Sequence, residues 1–127
     1  MGEIVQPDIV RVHLERVVAS PPLASSPSLC RLLRFVVEEA LEGRSIRLKE
    51  YSLGVSVFAR GEAFDPRLDP IVRVQARNLR ERLDRYYAGP GASDRVIIEL
   101  PKRTYVPVFH ERESGEAAGR EFARALS

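Results

Sequence analysis

The stretch PIVRVQARNLRERLDRYYA, residues 70–88, decides the fold because it predicts a long helix with one apolar and one basic side. Asp69 and Pro70 form a helix-start signal, since aspartate can cap a first turn and proline leaves no N–H unpaired there. The run Gly89-Pro90-Gly91 ends the helix. At about 100° per residue, the apolar residues fall in one sector and predict the core-facing side: Val72, Ala76, Leu79, Leu83 and Tyr86.

The opposite side of this helix is rich in arginine, with Arg73, Arg77 and Arg80 close together on the wheel. Four further residues lie between the arginines and the core-facing side: Ile71, Val74, Asn78 and Arg85. Arginine and asparagine can form paired hydrogen bonds with guanine and adenine edges, and small apolar groups can meet the thymine methyl. The pattern therefore indicates a helix that enters the DNA major groove.

A hairpin is predicted directly after this helix. Residues 95–100 (RVIIEL) and 104–109 (TYVPVF) are rich in β-branched and aromatic residues, which favours two strands. Residues 101–103 (PKR) between them predict a basic turn, and Pro107 belongs on an edge or at a strand end because it cannot donate to a ladder.

Upstream of residue 70 the periodicity predicts three more helices. The first covers residues 8–20, capped by Asp8, and Pro21 and Pro22 stop it before a loop over residues 23–26. The second begins at the Ser26-Pro27 signal and ends at Gly43. The third covers residues 49–58, where Gly54 either allows a close contact or breaks the segment. The fold class is therefore mainly α, with about four helices and a small β-hairpin.

The predicted organisation is a flexible tail over residues 1–7, one domain over residues 8–110, and a charged tail or short helix over residues 111–127. The net charge of +2 hides an uneven distribution, because residues 66–110 carry nine basic and five acidic residues. Eight of those nine cations are arginine, and clustered arginine is typical of a phosphate-binding surface.

Other classes of function find little support in the composition. His13, His110 and the single Cys30 are not at metal-ligand spacing, and no nucleophile motif or phosphate-binding loop is present. We therefore expect no enzyme activity, no cofactor and no small-molecule substrate. No apolar run is long enough to span a bilayer, and a lone cysteine suits a reducing compartment, so we expect a cytoplasmic protein without a membrane partner.

The segments VRVQARNLRERLDRYY (72–87) and VIIELPKRTYVPVF (96–109) resemble the end of OmpR/PhoB-type winged-helix domains. The recognition helix of that family has the form V-x-V-x-I-x-x-L-R-x-x-L, and a tyrosine follows its wing turn, as Tyr105 does here. The chain departs from the family in lacking the N-terminal four-stranded sheet and the glycines of the wing turn. A closer resemblance, over residues 9–109, is to the N-terminal domain of bacterial regulators of the tetratricopeptide-repeat or adenylate-cyclase-like type, which share stretches such as LKEYSLGVSVF and FDPRLDPIVRVQARNLRERLDRYY.

These resemblances imply a winged helix-turn-helix that binds double-stranded DNA in a sequence-specific way and regulates transcription, as a homodimer or in tandem on its site. Carried over by position, Ile71, Val74 and Asn78 face bases, while Arg73, Arg77 and Arg80 meet phosphates or bases. The wing contacts are Lys102, Arg103 and Thr104, and Arg67 clamps a phosphate just before the helix.

Two alternatives stay open at this point. The arginine-rich side is an ordinary solvated surface if Glu81 and Asp84 pair with Arg77 and Arg80 along the helix. A winged helix can also act as a protein–protein or dimerisation module without binding DNA. Its sign is an exposed apolar patch made of Ile71, Val74 and the Phe122/Leu126 segment.

Overall fold

The computed structural model describes residues 5–112, and these confirm a mainly α fold with a small β-hairpin. The elements in chain order are α1 (Pro7–Ala19), α2 (Pro21–Ala24), α3 (Pro27–Leu41), a 3-10 turn (Ser45–Arg47), α4 (Glu50–Ser56), α5 (Ile71–Ala88), β1 (Val96–Glu99) and β2 (Val108–Glu111). None of the helices within this part of the chain combines the length and the apolar character that a bilayer span needs.

The helix boundaries follow local signals in the sequence. Ser26 caps α3 through a hydrogen bond that its Oγ accepts from the Leu29 N–H at 3.4 Å, as predicted. Gly43 follows the end of α3 and has a φ of 78°, a left-handed conformation that glycine adopts without a steric cost. The start of α5 differs by one residue from the prediction, because Pro70 is its N-cap rather than its first helical residue, and the Asp69 carboxylate accepts the Ile71 N–H at 3.1 Å just before the helix.

Three predictions about the helices were wrong. Residues 23–26 are not simply a loop, because Pro21 and Pro22 stop α1 and also begin a new helix, α2, at positions where no N–H is needed. Asp8 does not cap α1, because the helix begins one residue earlier, at Pro7, and Gln6 is its N-cap. The third predicted helix is shorter than 49–58, as α4 begins at Glu50 and ends at Ser56.

The core lies between α5 and the shorter helices. All five residues of its predicted core-facing side are buried: Val72, Ala76, Leu79, Leu83 and Tyr86. They pack against α2, α3 and α4, where Leu23, Leu33 and Leu53 are fully buried. Gly54 allows a close contact with the ring of Phe64, because a Cβ at this position would clash with that ring. The amphipathic pattern of α5 thus sets which of its sides stays exposed.

The hairpin is shorter than the sequence predicts. β1 and β2 pair antiparallel with Val96 opposite Glu111 and Glu99 opposite Val108, so residues 100–107 form a long loop. The predicted strand over residues 104–109 was wrong at its start, because Pro107 has no N–H to give a ladder. We call residues 100–107 the hairpin loop.

The ends of the chain differ from the prediction in one respect. Val5 is only 6% exposed and belongs to the core, and Pro7 opens α1, so residues 5–7 are part of the fold rather than of a tail. The rest of the predicted N-terminal tail, residues 1–4, lies outside the described residues. So does most of the predicted charged tail or helix, from residue 113 onward, whereas Glu111 ends β2.

A buried polar network joins α1, α5 and β1. The Tyr87 hydroxyl accepts the Ile98 N–H at 2.7 Å and lies 2.8 Å from Nε2 of His13. Nδ1 of His13 is 3.8 Å from a carboxylate oxygen of Asp94, which the Tyr86 hydroxyl also contacts. We assign His13 as neutral with its proton on Nδ1, because Nε2 can then accept the Tyr87 hydroxyl proton. Burial raises the pKa of Tyr86 to about 12, so both tyrosines stay protonated donors.

This network predicts that acid destabilises the fold. Burial lowers the pKa of His13, and the Arg16 and Arg112 charges lower it further, while Asp94 opposes them. The unfolded chain therefore binds a proton more readily than the folded one, and the free energy of unfolding falls as pH drops below about 6.5, the ordinary histidine pKa. We expect urea titrations between pH 7.5 and 5 to show a steeper loss for the wild type than for His13→Gln, whose neutral amide cannot titrate. Equal slopes for the two proteins would contradict the assignment.

Candidate nucleic-acid interface

One side of α5 and the hairpin loop enclose a groove of about 740 Å³. Its lining contains five cations, two acids and one tyrosine: Arg73, Arg77, Arg80, Lys102, Arg103, Glu81, Asp84 and Tyr105. The two segments with the predicted basic residues, 20 or more positions apart in sequence, therefore meet at a single surface. They meet because β1 packs against α5 and returns the chain alongside it.

Three of these cations are available to a ligand. The side chains of Arg77, Lys102 and Arg103 are exposed and have no hydrogen bond or ion pair with any other residue in the 5–112 range. Arg103 has a φ of 70°, a left-handed turn conformation, at the tip of the hairpin loop. Cations from a helix and from a loop thus converge, and none of the three has an ion pair within residues 5–112, which favours the binding of a polyanion.

Arg73 is held at the edge of the groove by its own neighbours. Its Nη1 donates to Oε2 of Glu50 at 2.6 Å and to the Pro66 carbonyl at 2.9 Å, and about half of the side chain remains exposed. The ion pair neutralises much of its charge, so Arg73 contributes less to the field of the groove than its position in the sequence suggests.

Arg80 has a different role from the predicted one. Its guanidinium is partly buried and donates to three main-chain carbonyls of the hairpin loop, those of Leu100, Pro101 and Thr104. The predicted partner Asp84 is not among them. This cation therefore binds the protein itself, a use that helical periodicity could not indicate.

Neither of the acidic pairings that would make this side an ordinary solvated surface is present among residues 5–112. Glu81 is 3.8 Å from Arg85, one turn further along α5, rather than paired with Arg77. Asp84 has no ion pair within the described residues and lines the groove. The two carboxylates reduce the positive charge of the groove without engaging its exposed cations.

The residues predicted to face bases lie on another flank of α5. Ile71, Val74 and Asn78 do not line the groove, and all three are partly buried. Ile71 packs against the core, which leaves little of it for a base. At about 100° per residue, Val74 and Asn78 are about 60° and 100° around the helix from Arg77. They remain neighbours of the basic side, and only their exposed edges can reach a ligand.

Arg67 and Thr104 are engaged locally. Arg67 is 88% exposed, and its guanidinium grips Asp65 with contacts of 3.0 and 2.9 Å, which lowers the pKa of that carboxyl. It lies outside the groove lining. Thr104 accepts the Val106 N–H on Oγ1 and the Arg80 guanidinium on its carbonyl, so it shapes the loop rather than presenting a free donor.

Tyr105 also lines the groove, although it was not predicted as a contact residue. Its ring is half-buried beside Arg73 and Arg80, and burial raises the pKa of its hydroxyl. The sequence contained a signal for it, because a tyrosine after the basic turn was part of the resemblance. Its flat, partly exposed ring adds an apolar surface to the otherwise charged groove.

Residues 5–112 contain no cluster of three or more histidine, cysteine or acidic side chains that could hold a metal ion. The Cys30 thiol donates to the Leu23 carbonyl at 3.2 Å, and burial raises its pKa, so it stays protonated.

Comparison with known proteins found no match for this chain among models of protein families, curated proteins or solved structures.

Proposed function

We propose that this chain binds double-stranded DNA through the groove between α5 and the hairpin loop. The observation that carries the proposal is the convergence of three exposed cations that have no partner among residues 5–112: Arg77, Lys102 and Arg103. Sequence-specific regulation of transcription, in the cytoplasm of a bacterium, is the biological role that this activity best supports.

The shape of the site favours a duplex over a small anion. With 18 residues, α5 is about 27 Å long, and its outer side stays exposed over about three turns in the described part of the chain, from Arg73 to Arg85. A helix of this kind fits the major groove of B-DNA, which is about 12 Å wide. The hairpin loop beside it then reaches the neighbouring backbone, as the wing of a winged helix does. Val74 and Asn78, on the adjoining flank, are the residues placed to add base preference.

Fluorescence anisotropy with a labelled duplex of mixed sequence, about three helical turns long, tests the proposal. Three phosphate contacts predict a slope of log K against log salt of about −2.7, measured between about 50 and 200 mM. A single-stranded oligonucleotide of equal length is the control, and we expect it to bind more weakly. Absence of duplex binding at the lowest salt concentration would refute the proposal.

A second candidate function is self-association through α1. Ile9 and Val12 are 47% and 68% exposed on one side of α1, and they border a groove of about 500 Å³ that continues to Val96. The apolar patch once expected around Ile71 and Val74 is partly buried, and Phe122 and Leu126 lie outside the described residues. Among residues 5–112, α1 therefore offers a more exposed apolar surface than the flank of Ile71 and Val74, and a second copy of the chain could pack against it.

The variant Val12→Glu tests this candidate. A carboxylate placed in an apolar contact loses hydration without gaining a partner, so we expect the dissociation constant of a dimer to rise at least tenfold, about 1.4 kcal/mol. Light scattering should then report the 14.3 kDa monomer where the wild type gives twice that mass. Leu68→Glu, at an 83% exposed position in a loop, is the matched control. A monomeric wild type at high concentration would rule the candidate out.

A further inference from the structure

The guanidinium of Arg80 ties α5 to the hairpin loop at three points. Nε donates to the Leu100 carbonyl at 3.0 Å, and Nη2 donates to the carbonyls of Pro101 and Thr104 at 3.2 and 2.8 Å. The three acceptors lie on both sides of Lys102 and Arg103. A single side chain therefore binds the main chain on both sides of the two loop cations.

The loop is buried at its two ends, Leu100 and Pro107, but no backbone–backbone hydrogen bond forms within it. It follows the last paired residue of β1, contains Pro101 and Pro107, and turns through Arg103 at φ 70°. A left-handed residue other than glycine costs about 1 kcal/mol or more and needs surrounding contacts to persist. The Arg80 hydrogen bonds supply such contacts, because they hold the carbonyls before and after the turn.

We infer that Arg80 is a positioning residue, which sets Lys102 and Arg103 opposite Arg77 across the groove. The inference rests on the proposed function for its effect on DNA, but the clamp itself is a property of the free protein. Its Nε and Nη2 atoms donate to neutral carbonyl oxygens, which leave its charge in place, so what Arg80 adds beyond charge is the geometry of the loop. A lysine has the same charge but no planar fork, and one ammonium cannot reproduce hydrogen bonds from two separate guanidinium nitrogens to these carbonyls.

The substitution Arg80→Lys separates positioning from charge. We expect its affinity for the mixed-sequence duplex to fall at least tenfold and its salt slope to lose about 2, because two loop cations no longer meet phosphates. Arg82→Lys is the matched control two residues further along α5, where the guanidinium donates to the Pro22 carbonyl outside the groove lining, and we expect it to stay within threefold of the wild type. An Arg80→Lys protein that also binds within threefold of the wild type would overturn the inference.

Coupling to the loop cations distinguishes positioning from a general loss of stability. In the Arg80→Lys background, adding Lys102→Ala and Arg103→Ala should cost less than threefold, whereas the same pair in the wild type should cost about 60-fold at 0.1 M salt. Equal costs in the two backgrounds would mean that Arg80 does not act through the loop. Arg80→Gln, which has a shorter stem but keeps an amide donor, serves in the same coupling measurement if the lysine variant does not fold.

A measurement without DNA keeps this inference separate from the proposed function. Hydrogen exchange of the Val106 amide, which donates to Oγ1 of Thr104 in the loop, should accelerate at least tenfold in Arg80→Lys, while the amides of α3 remain as in the wild type. If the loop loosens but the wild type does not bind DNA, the clamp stands and the proposed function fails. If exchange in the loop is unchanged, the clamp is refuted whatever the protein binds.

Discussion

Replacing Arg77, Lys102 and Arg103 together with alanine is expected to weaken binding to duplex DNA about 500-fold at 0.1 M salt. These are the groove cations that have no partner within residues 5–112, so each is free to neutralise one phosphate. Each lost phosphate contact removes the release of about 0.9 counterion, a factor of about 8 in affinity at this salt concentration. The salt slope should therefore flatten by about 2.7, and anisotropy titrations at several salt concentrations measure both quantities.

The control is a second triple variant with the same change of charge. Arg31, Arg47 and Arg95 are exposed and lie outside the groove lining, so their replacement by alanine removes three charges from other surfaces. We expect this protein to lose less than tenfold, from the weaker long-range field alone. Similar losses for the two triple variants would show that net charge, and not the groove, governs binding.

The largest effect on stability is expected from Tyr87→Phe. The lost hydroxyl accepts the Ile98 N–H and contacts His13, so its removal leaves two polar groups unpaired where α1, α5 and β1 meet. An unpaired buried group costs about 1–3 kcal/mol, which predicts a loss of about 3 kcal/mol in total. For a domain of this size the melting temperature should fall by about 10–20 °C, measurable by circular dichroism.

Tyr51→Phe is the matched control for this change. Its hydroxyl also makes one hydrogen bond, to the Glu62 carbonyl at 2.9 Å, but the side chain is 44% exposed and water can replace the lost partner. We expect a loss below about 1 kcal/mol. Equal melting temperatures for the two variants would mean that the Tyr87 network does not hold the hairpin to the helices.

Local patterns in the sequence predicted the helices well because their signals lie within a few residues of each other. The Ser26 cap, the Gly43 stop and the core-facing side of α5 depend only on neighbours along one helix. The same rules missed α2, since two prolines that end one helix can also start the next. They also placed the second strand too early, because a β-forming composition does not determine which residues find a partner across the ladder.

The candidate site shows the same division. Its basic composition and its two segments, α5 and the turn at 101–103, were evident from the sequence, and Arg77, Lys102 and Arg103 are indeed exposed where these segments meet. What each arginine does was not evident. Arg67, Arg73 and Arg80 look equivalent to Arg77 on a helical wheel or in a count of charges. Yet they bind Asp65, Glu50 and the loop carbonyls respectively.

By itself, then, the sequence determined that this protein has a long helix with a buried apolar side and a basic side, followed by a hairpin. Those properties arise from helical periodicity, caps and turn residues, which act over one or two turns. Only the tertiary structure decided that Arg80 holds the hairpin loop and that Arg77 has no hydrogen bond or ion pair within residues 5–112. The partners of Arg80 lie 20 to 24 positions away, and which carbonyls reach a guanidinium depends on how β1 packs against α5.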